Sequence, residues 1–489
     1  MAGRRPQREP PVTGRRRDGY VSLWLDEALA AEGLGRDAPV PEPDPLPARA
    51  DVVIVGGGYT GLWTAIRLLE RQPGLDVAVV EARYCGWGAS GRNGGIAEAS
   101  WAKFPVMVGL YGRAEALRLA RAVDDGLAEL ERFCAVHGID AQMRSAGNIW
   151  IAANQAHLGS WEKARGVLEA AGEKRMRVVD RREASELSGS PLALAAAVEE
   201  EGATLQPARL ARGLRRVAAG LGARVFERTA LRRLDRVEGP GGGPVVVTDR
   251  GRIRAGRVVL AMNAWAASLP ALRPHLFVTS SDIIATAPGA ADRAGPAMAA
   301  GMAAADSRRL ILYWRSTADG RIVFGKGGGW MSVGNRVDGR FTGRSALAAS
   351  VESRFRRLYP DFAGVPVEHS WNGPIDYSST GLPYLGPLED GRPDVLVGIG
   401  FSGMGVVQTV AAGRVLASLA LDARDEWSSL PITGRWPRRL PPEPLRSLGA
   451  PIVKLAVSRQ ELALDAEARP GRLTRFVAGL DPTAGPTGS

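Results

Sequence analysis

Asp51-Val52-Val53-Ile54-Val55-Gly56-Gly57-Gly58-Tyr59-Thr60-Gly61 sets an apolar run directly against a G-x-G-x-x-G turn, and Leu62, Ala65, Ile66 and Leu69 then recur on one helical face. Val52 to Val55 suits a parallel strand covered on both sides. Each glycine then has a task. Gly56 permits the tight turn, Gly58 lets backbone approach a pyrophosphate, and Gly61 lets the helix pack close while its N-terminus faces the phosphates. A second strand, Val77 to Val80, runs into Glu81. A carboxylate there, about 20 residues past Gly61, accepts hydrogen bonds from both ribose hydroxyls and repels a 2'-phosphate, which argues against NADP. Strand, glycines, helix, strand and terminal Glu together outweigh the reading of Gly56 to Gly61 as an ordinary glycine-rich loop.

The next segment, Glu81-Ala82-Arg83-Tyr84-Cys85-Gly86-Trp87-Gly88-Ala89-Ser90-Gly91-Arg92-Asn93-Gly94-Gly95, is too polar and glycine-rich for a core element. It suits a backbone wrapped around an extended polar ligand, with Arg92 placed against phosphate charge. On these residues the chain resembles the FAD-dependent D-amino-acid oxidase and glycine oxidase superfamily, in particular its gamma-glutamylputrescine and aminophosphonate oxidoreductase branch. Later segments resemble the same family in the expected order. Gly202-Ala-Thr-Leu-Gln-Pro207 with Gly222-Ala-Arg-Val225 is similar to the return into the FAD domain, where the resemblance puts Val225 on adenine. Arg257-Val-Val-Leu-Ala261-Met262-Asn263-Ala-Trp265 is similar to the family's closing strand, with Met262 in place of a Thr. Trp371-Asn-Gly373-Pro-Ile-Asp376 and Gly381-Leu-Pro383 lead to Gly400-Phe401-Ser402-Gly403-Met404-Gly405 and a helix carrying Val407, Val410, Ala411 and Leu416. The resemblance points that helix at the flavin pyrimidine, where free N–H groups stabilise negative charge.

The resemblance implies an α/β fold, α+β overall, in which a Rossmann-like FAD-binding domain (51–100, 202–268 and 371–425) is interleaved with an antiparallel-sheet substrate domain (101–201 and 269–370). Residues 1–50 read as an arm and a docking helix near Ser22 to Asp26, and 426–489 as a C-terminal extension with a helix through Ile452, Leu455, Ala456 and Leu462. Residues 1 to 18 are Pro- and Arg-rich and read as disordered. The stripe Leu117, Ala120, Val123, Leu127 and Leu130 is a long helix's core face.

A chain of 489 residues exceeds one ordinary core. It has no apolar run near the ~20 residues that span a bilayer, and no signal-peptide core follows its basic start. Cys85 and Cys134 are its only cysteines, which excludes a disulfide scaffold and points to a reducing cytoplasm. No Cys or His spacing suits a metal. The net charge of +11 comes with neither a nucleic-acid fold nor an aromatic stacking ladder, so it reads as Arg-rich solvated tails, with a positive field that could draw in anionic substrates. Gly239 to Gly243 reads as a hairpin loop, and Gly325 to Gly329 opens no helix, so no second dinucleotide site is expected.

The resemblance implies oxidation of an amine or amino acid, the flavin accepting a hydride and oxygen the electrons. Positioning and desolvation then matter more than acid–base groups. Alternation places Tyr313 and Arg315 on one face of a strand, as an aromatic wall and a clamp for a carboxylate or phosphonate; a solvated surface strand is the competing reading. Lys326 is a second candidate, because sarcosine-type relatives use a Lys near the flavin for oxygen reduction, although the matching position here could be Val323. Trp371 is the remaining candidate catalytic residue, and neighbouring His369 reads as packed or solvent-facing. Covalent flavin attachment in some relatives needs a Cys just before the closing glycine segment or a His near the Arg92-Asn93 loop; both are absent, so the resemblance implies non-covalent FAD. A dehydrogenase with another acceptor, a tailoring enzyme for a larger amine and a flavin-holding protein without turnover remain as alternatives. Oligomeric state is left open.

Overall fold

A computed structural model describes residues 15–16, 19–35, 44–239, 242–388 and 392–481. Most of the basic start, part of the Pro41 to Pro47 run and the tip of the 239–243 loop lie outside the described residues. Two eight-stranded sheets organise the rest. The first has a parallel centre, in which Arg49–Val55 lies between Val77–Val80 and Arg252–Leu260, with Arg224–Phe226 outside Val77–Val80. All four residues of Val77–Val80 are buried, as an apolar run covered on both faces requires. Gly243–Thr248 and Leu231–Val237 extend this sheet as an antiparallel hairpin. Arg392–Ile399 also joins it beside Arg252–Leu260, carrying Tyr384–Leu388.

Helices Tyr59–Arg71, Pro207–Gly220, Arg113–Val136 and Gly405–Ala420 share one apolar core on one side of that sheet. Ala120, Val123 and Leu130 of the long helix are buried there, while Leu117 and Leu127 pack against its margin.

The second sheet runs Val367–Ser378, Leu276–Thr286, Ile322–Lys326, Leu312–Ser316, Ala303–Asp306, Asn148–Ala152, Ala195–Glu199 and Arg177–Val179. It is antiparallel apart from the pair Ala303–Asp306 and Asn148–Ala152. The segment from Trp371 to Asp376, grouped in the sequence with the dinucleotide-binding part, pairs here along the length of Leu276–Thr286; the chain enters the first sheet only at Tyr384.

Both terminal segments dock on this frame. Ser22 caps the helix Leu23–Ala31 by accepting the Leu25 N–H and also donates to the Gly91 carbonyl. Trp24 Nε1 donates to the Asn93 carbonyl at 3.0 Å, so this helix braces the Gly91–Asn93 loop. Near the other end, helices Leu445–Asp465 and Arg472–Ala478 fold over the second sheet. Asp465 accepts from Asn154 at 3.0 Å and Arg357 at 2.8 Å and pairs with Arg308, while Glu461 accepts the Leu310 N–H at 2.8 Å. Among the described residues, no helix is long and apolar enough to cross a membrane.

Candidate active site

The glycine turn is built by close approach. A Cβ on Gly56, where φ is +115°, would stand 2.3 Å from the Ala261 carbonyl oxygen, and one on Gly61 would stand 2.0 Å from that of Gly56. Gly61 therefore packs helix against strand and does not itself line a cavity, whereas Gly56, Gly58, Tyr59 and Thr60 do. Ser90 Oγ accepts the Tyr59 N–H at 2.9 Å and sits where a Gly58 Cβ would collide. Glu81 accepts the Gly57 N–H at 2.8 Å through Oε2 and the Arg83 N–H at 2.9 Å through Oε1. Burial pushes its carboxyl up to about 7 against those two bonds.

These residues form one end of a cavity of about 1890 Å³. Glu81, Ala82, Arg83, Ala89, Ser90, Arg92, Asn93 and Gly94 continue its wall. Gly91 and Gly95 stand behind it: a Cβ on either would strike a carbonyl oxygen, of Gly86 at 2.1 Å or of Leu205 at 2.2 Å. Arg92 is 1% exposed and donates to the Trp87 and Asn372 carbonyls at 2.8 and 3.2 Å. Its guanidinium ties the loop to the second sheet, which differs from the phosphate role expected of it. Val225 is also displaced from expectation. Its side chain packs against the helical core, and the wall beyond Glu81 is made by Arg228, Thr229 and Ala230. The Thr229 N–H donates to the Glu81 carbonyl and that of Arg228 to the Arg83 carbonyl, which brings this segment alongside the loop.

At the centre, Asn263 and Trp265 line the cavity opposite Phe401, Ser402, Gly403, Met404 and Gly405. Asp376 joins the two sides. It accepts the Asn263 Nδ2 at 2.8 Å and the Gly400 N–H at 2.6 Å, and burial raises its carboxyl to about 7. Gly400 thus serves as donor from behind the wall. Asn263 Oδ1 is buried with no partner, an acceptor left for a ligand. Helices Tyr59–Arg71 and Gly405–Ala420 start at this cavity without a side-chain cap. Two helix starts, a carboxylate at a strand end and an orphan amide oxygen on one cavity fit a flavin dinucleotide.

The substrate candidates divide. Tyr313 lines the cavity, its hydroxyl 2.8 Å from Ser281 Oγ, and a Cβ on Gly94 would stand 2.6 Å from its ring. Arg315 shares that face, as alternation requires, but not the cavity. It donates to the carbonyls of Gly94 at 2.9 Å, Leu205 at 2.7 Å and Ser316 at 2.9 Å and stacks on Trp24, so no substrate clamp remains. Lys326 falls on the other face. It pairs with Leu312 while Gly325 pairs with Tyr313, and its Nζ donates to the Gly327 carbonyl at 2.9 Å. Burial lowers its ammonium to about 8, with Glu461, Arg354, Lys454 and Asp282 as the charges that act on it. Trp371 is fully buried, its Nε1 donating to the Arg92 carbonyl at 2.9 Å, and props the loop from behind. Neither it nor Lys326 forms part of the cavity wall.

Residues 51–419 match the FAD dependent oxidoreductase family. The chain belongs to that family. FAD is accordingly its cofactor. It is 29% identical over 373 residues to the gamma-glutamylputrescine oxidoreductase of Escherichia coli, spanning 76% of this chain and 83% of that protein. The crystal structure of glycine oxidase from Geobacillus kaustophilus matches with a TM-score of 0.64 at 22% identity, over 81% of this chain and 100% of that one. That of L-proline dehydrogenase from P. horikoshii matches with a TM-score of 0.64 at 20% identity, over 79% and 96%. One fold thus carries an oxidase and a dehydrogenase, and it does not by itself set the electron acceptor.

Several wall residues of this FAD-dependent oxidoreductase escape a reading of the sequence. Asp376, which stands behind that wall, had one signal, an acid within the otherwise uncharged run Ser370 to Ser378. Glu98, Lys103, Asn148 and Glu199 had none, because sheet pairing assembles them from three separate segments. Val457, Gln460, Glu461 and Arg475 of the C-terminal helices line the same cavity although they lie past residue 419, where the family match ends.

Proposed function

We propose that this protein oxidises the carbon–nitrogen bond of an amine or amino acid to an imine, which water hydrolyses to a carbonyl product, and that the electrons pass to oxygen to give hydrogen peroxide. The observation that carries the reading is the continuity of one cavity from the dinucleotide trough, past Asn263 and Gly403, to a chamber floored by the second sheet at Tyr313. Non-covalently bound FAD supplies the hydride acceptor. The chain supplies placement: Glu81 for the ribose hydroxyls, the starts of the two helices and the 89–94 loop for the phosphates and flavin, and Asn263 for a flavin donor. Tyr313 and the walls around it exclude water from the substrate.

A second nucleotide as electron donor is disfavoured. Gly329 turns so tightly that a Cβ would stand 1.9 Å from Asp282 Oδ2, which makes 327–329 a packed turn rather than a phosphate cradle. We assign 51–100, 202–268 and 379–425 to the FAD domain, the strand Val367–Ser378 to the substrate domain beside it, and the reaction to a reducing cytoplasm, in keeping with free Cys85 and Cys134.

An anaerobic absorbance scan of the purified holoprotein with primary and secondary amines, D- and L-amino acids and aminophosphonates tests this. Bleaching of the flavin band near about 450 nm by one of these donors is the expected outcome, with recovery in seconds on readmitting air. Recovery only with an added quinone would replace oxygen as acceptor. A flavin that no nitrogen-bearing donor reduces would overturn the reading.

A further inference from the structure

The chamber end remote from the trough holds two carboxylates that no cation touches. Glu98 follows the strand Ile96–Ala97 and Glu199 ends the strand Ala195–Glu199; both line the cavity, and neither side chain has a hydrogen bond or ion pair among the described residues. Arg175, the nearest guanidinium to influence Glu199, is already engaged by Asp124, Glu173 and Glu201. Lys103 lines the cavity and acts on Glu98 without reaching contact distance. Two carboxylates against one ammonium leave this end one positive charge short.

Asn148 supplies an independent mark of a ligand. It is 8% exposed, yet its Oδ1 and Nδ2 are both buried without any partner. It is the direct cross-strand neighbour of Glu199. A Cβ on Gly202 would stand 2.4 Å from its Nδ2, and Gly202 precedes Ala203, the partner of Ala97, so it runs opposite Glu98. The orphan amide therefore lies between the two acids. Burying an amide with nothing to bond is costly, and a donor arriving between Glu98 and Glu199 would offset that cost.

The sheet register fixes how far this end lies from Tyr313. Tyr313 pairs with Ala305, Ala305 with Trp150 and Trp150 with Ala197, and Glu199 is two residues further along the last strand. Three strand spacings and two residue steps separate the Cα atoms by roughly 15 Å. These residues share one face of the sheet, with Ala303, Ala305 and Ala197 leaving the floor low and Trp150 offering an aromatic surface that a cation can pass.

We propose that Glu98, Glu199 and Asn148 form a subsite for a second, protonated amino group of the substrate, so that the preferred substrates are chain-like diamines or polyamines oxidised at the end away from it. This rests on the amine-oxidising reading above. The electrostatics agree: burial, and then the charge of Glu98, push the Glu199 carboxyl up to about 8, and a cation beside it would offset both.

The test uses holoprotein, anaerobic, with linear diamines of three to eight carbons beside the n-alkylamines of equal length. Two readouts are taken: the spectral shift of the flavin on binding and its rate of bleaching. At the best length, the diamine should bind at least 30-fold more tightly than its alkylamine. Glu199→Gln and Glu98→Gln should each reduce that ratio to about threefold or less, with Glu199→Asp retaining part of it. Asn148→Leu should reduce it by a smaller factor, and retained FAD shows that each variant is folded. A ratio near one in the native protein overturns the subsite without needing any variant, and so does a ratio the substitutions leave intact. If alkylamines or amino acids bleach the flavin as readily as diamines, the subsite fails and the amine reading stands. If nothing in either panel bleaches it, both fail.

Discussion

Glu81 and Glu199 are carboxylates at strand ends on one cavity, at opposite ends of it, and the chain treats them differently. Glu81 takes backbone N–H groups from Gly57 and Arg83, while the Glu199 carboxylate takes no hydrogen bond among the described residues. The dinucleotide trough is finished by its own backbone and asks only for a ligand of fixed shape. The far chamber is left electrically incomplete, so its ligand must bring charge. That contrast separates what a family can share from what one member uses to choose a substrate.

The largest effect should come from the backbone end. Gly61→Val places a side chain where a Cβ alone would already meet the Gly56 oxygen at 2.0 Å and Ile54 Cγ2 at 3.1 Å. The helix cannot then sit on its strand, and the purified variant should carry no flavin and unfold at markedly lower temperature. Retention of FAD with native stability would remove the packing role given to this glycine.

Arg315→Met comes next. The substitution leaves the Gly94 and Leu205 carbonyls without a donor and removes the cation from the Trp24 face. A destabilisation of about 3 kcal/mol in urea unfolding is expected, from unpaired buried carbonyls, and a change in the Michaelis constant for anionic substrates is not. A raised Michaelis constant at unchanged stability would restore the clamp that alternation alone suggests.

Glu81→Ala removes the acceptor of two backbone donors and, on the proposed reading, of the ribose hydroxyls. FAD affinity should fall about 10- to 100-fold, as for roughly 1.4–3 kcal/mol of lost charged hydrogen bonding, measured by flavin release on dilution. Unchanged affinity would mean that Arg228 to Ala230 hold the nucleotide without it.

The opposite end should show itself in pH dependence. Glu199 has a folded value of about 8 against an ordinary 4.5, so between these the native state binds more protons than the unfolded one. Stability from this group is therefore greatest at the acid side of the window and declines as pH rises from about 5 to about 8. Glu199→Gln should flatten that decline in thermal melts without amine; an unaltered slope would assign it to Glu81 and Asp376, which burial raises in the same direction.

Legibility in the sequence follows the same division. The strand–glycine–helix turn is readable because steric limits on backbone act within a few residues, and Gly56 to Glu81 take the places those limits dictate. Alternation correctly sets Tyr313 and Arg315 on one face, but what covers that face is the Gly94–Gly95 turn, more than 200 positions earlier in the chain. Val225 is misplaced because the wall is reached only where the chain comes alongside Glu81 to Arg83, at Arg228 to Ala230. Glu98, Asn148 and Glu199 meet through pairings that no local pattern encodes.

Lys326 gives the smallest expected effect and the sharpest use of strand parity. Its partner in the sheet is Leu312, and the residue before it, Gly325, takes the place beside Tyr313. A one-residue difference along a strand turns a side chain to the other face. The ammonium accordingly lies on the face opposite Tyr313, under the influence of Glu461, Arg354, Lys454 and Asp282. Lys326→Met should leave the rate of flavin reoxidation in air within about twofold, a change worth less than about 0.5 kcal/mol of barrier. A drop of a hundredfold would mean that charge acts on the flavin through the sheet, and that face parity fails to separate the chemistry from the frame.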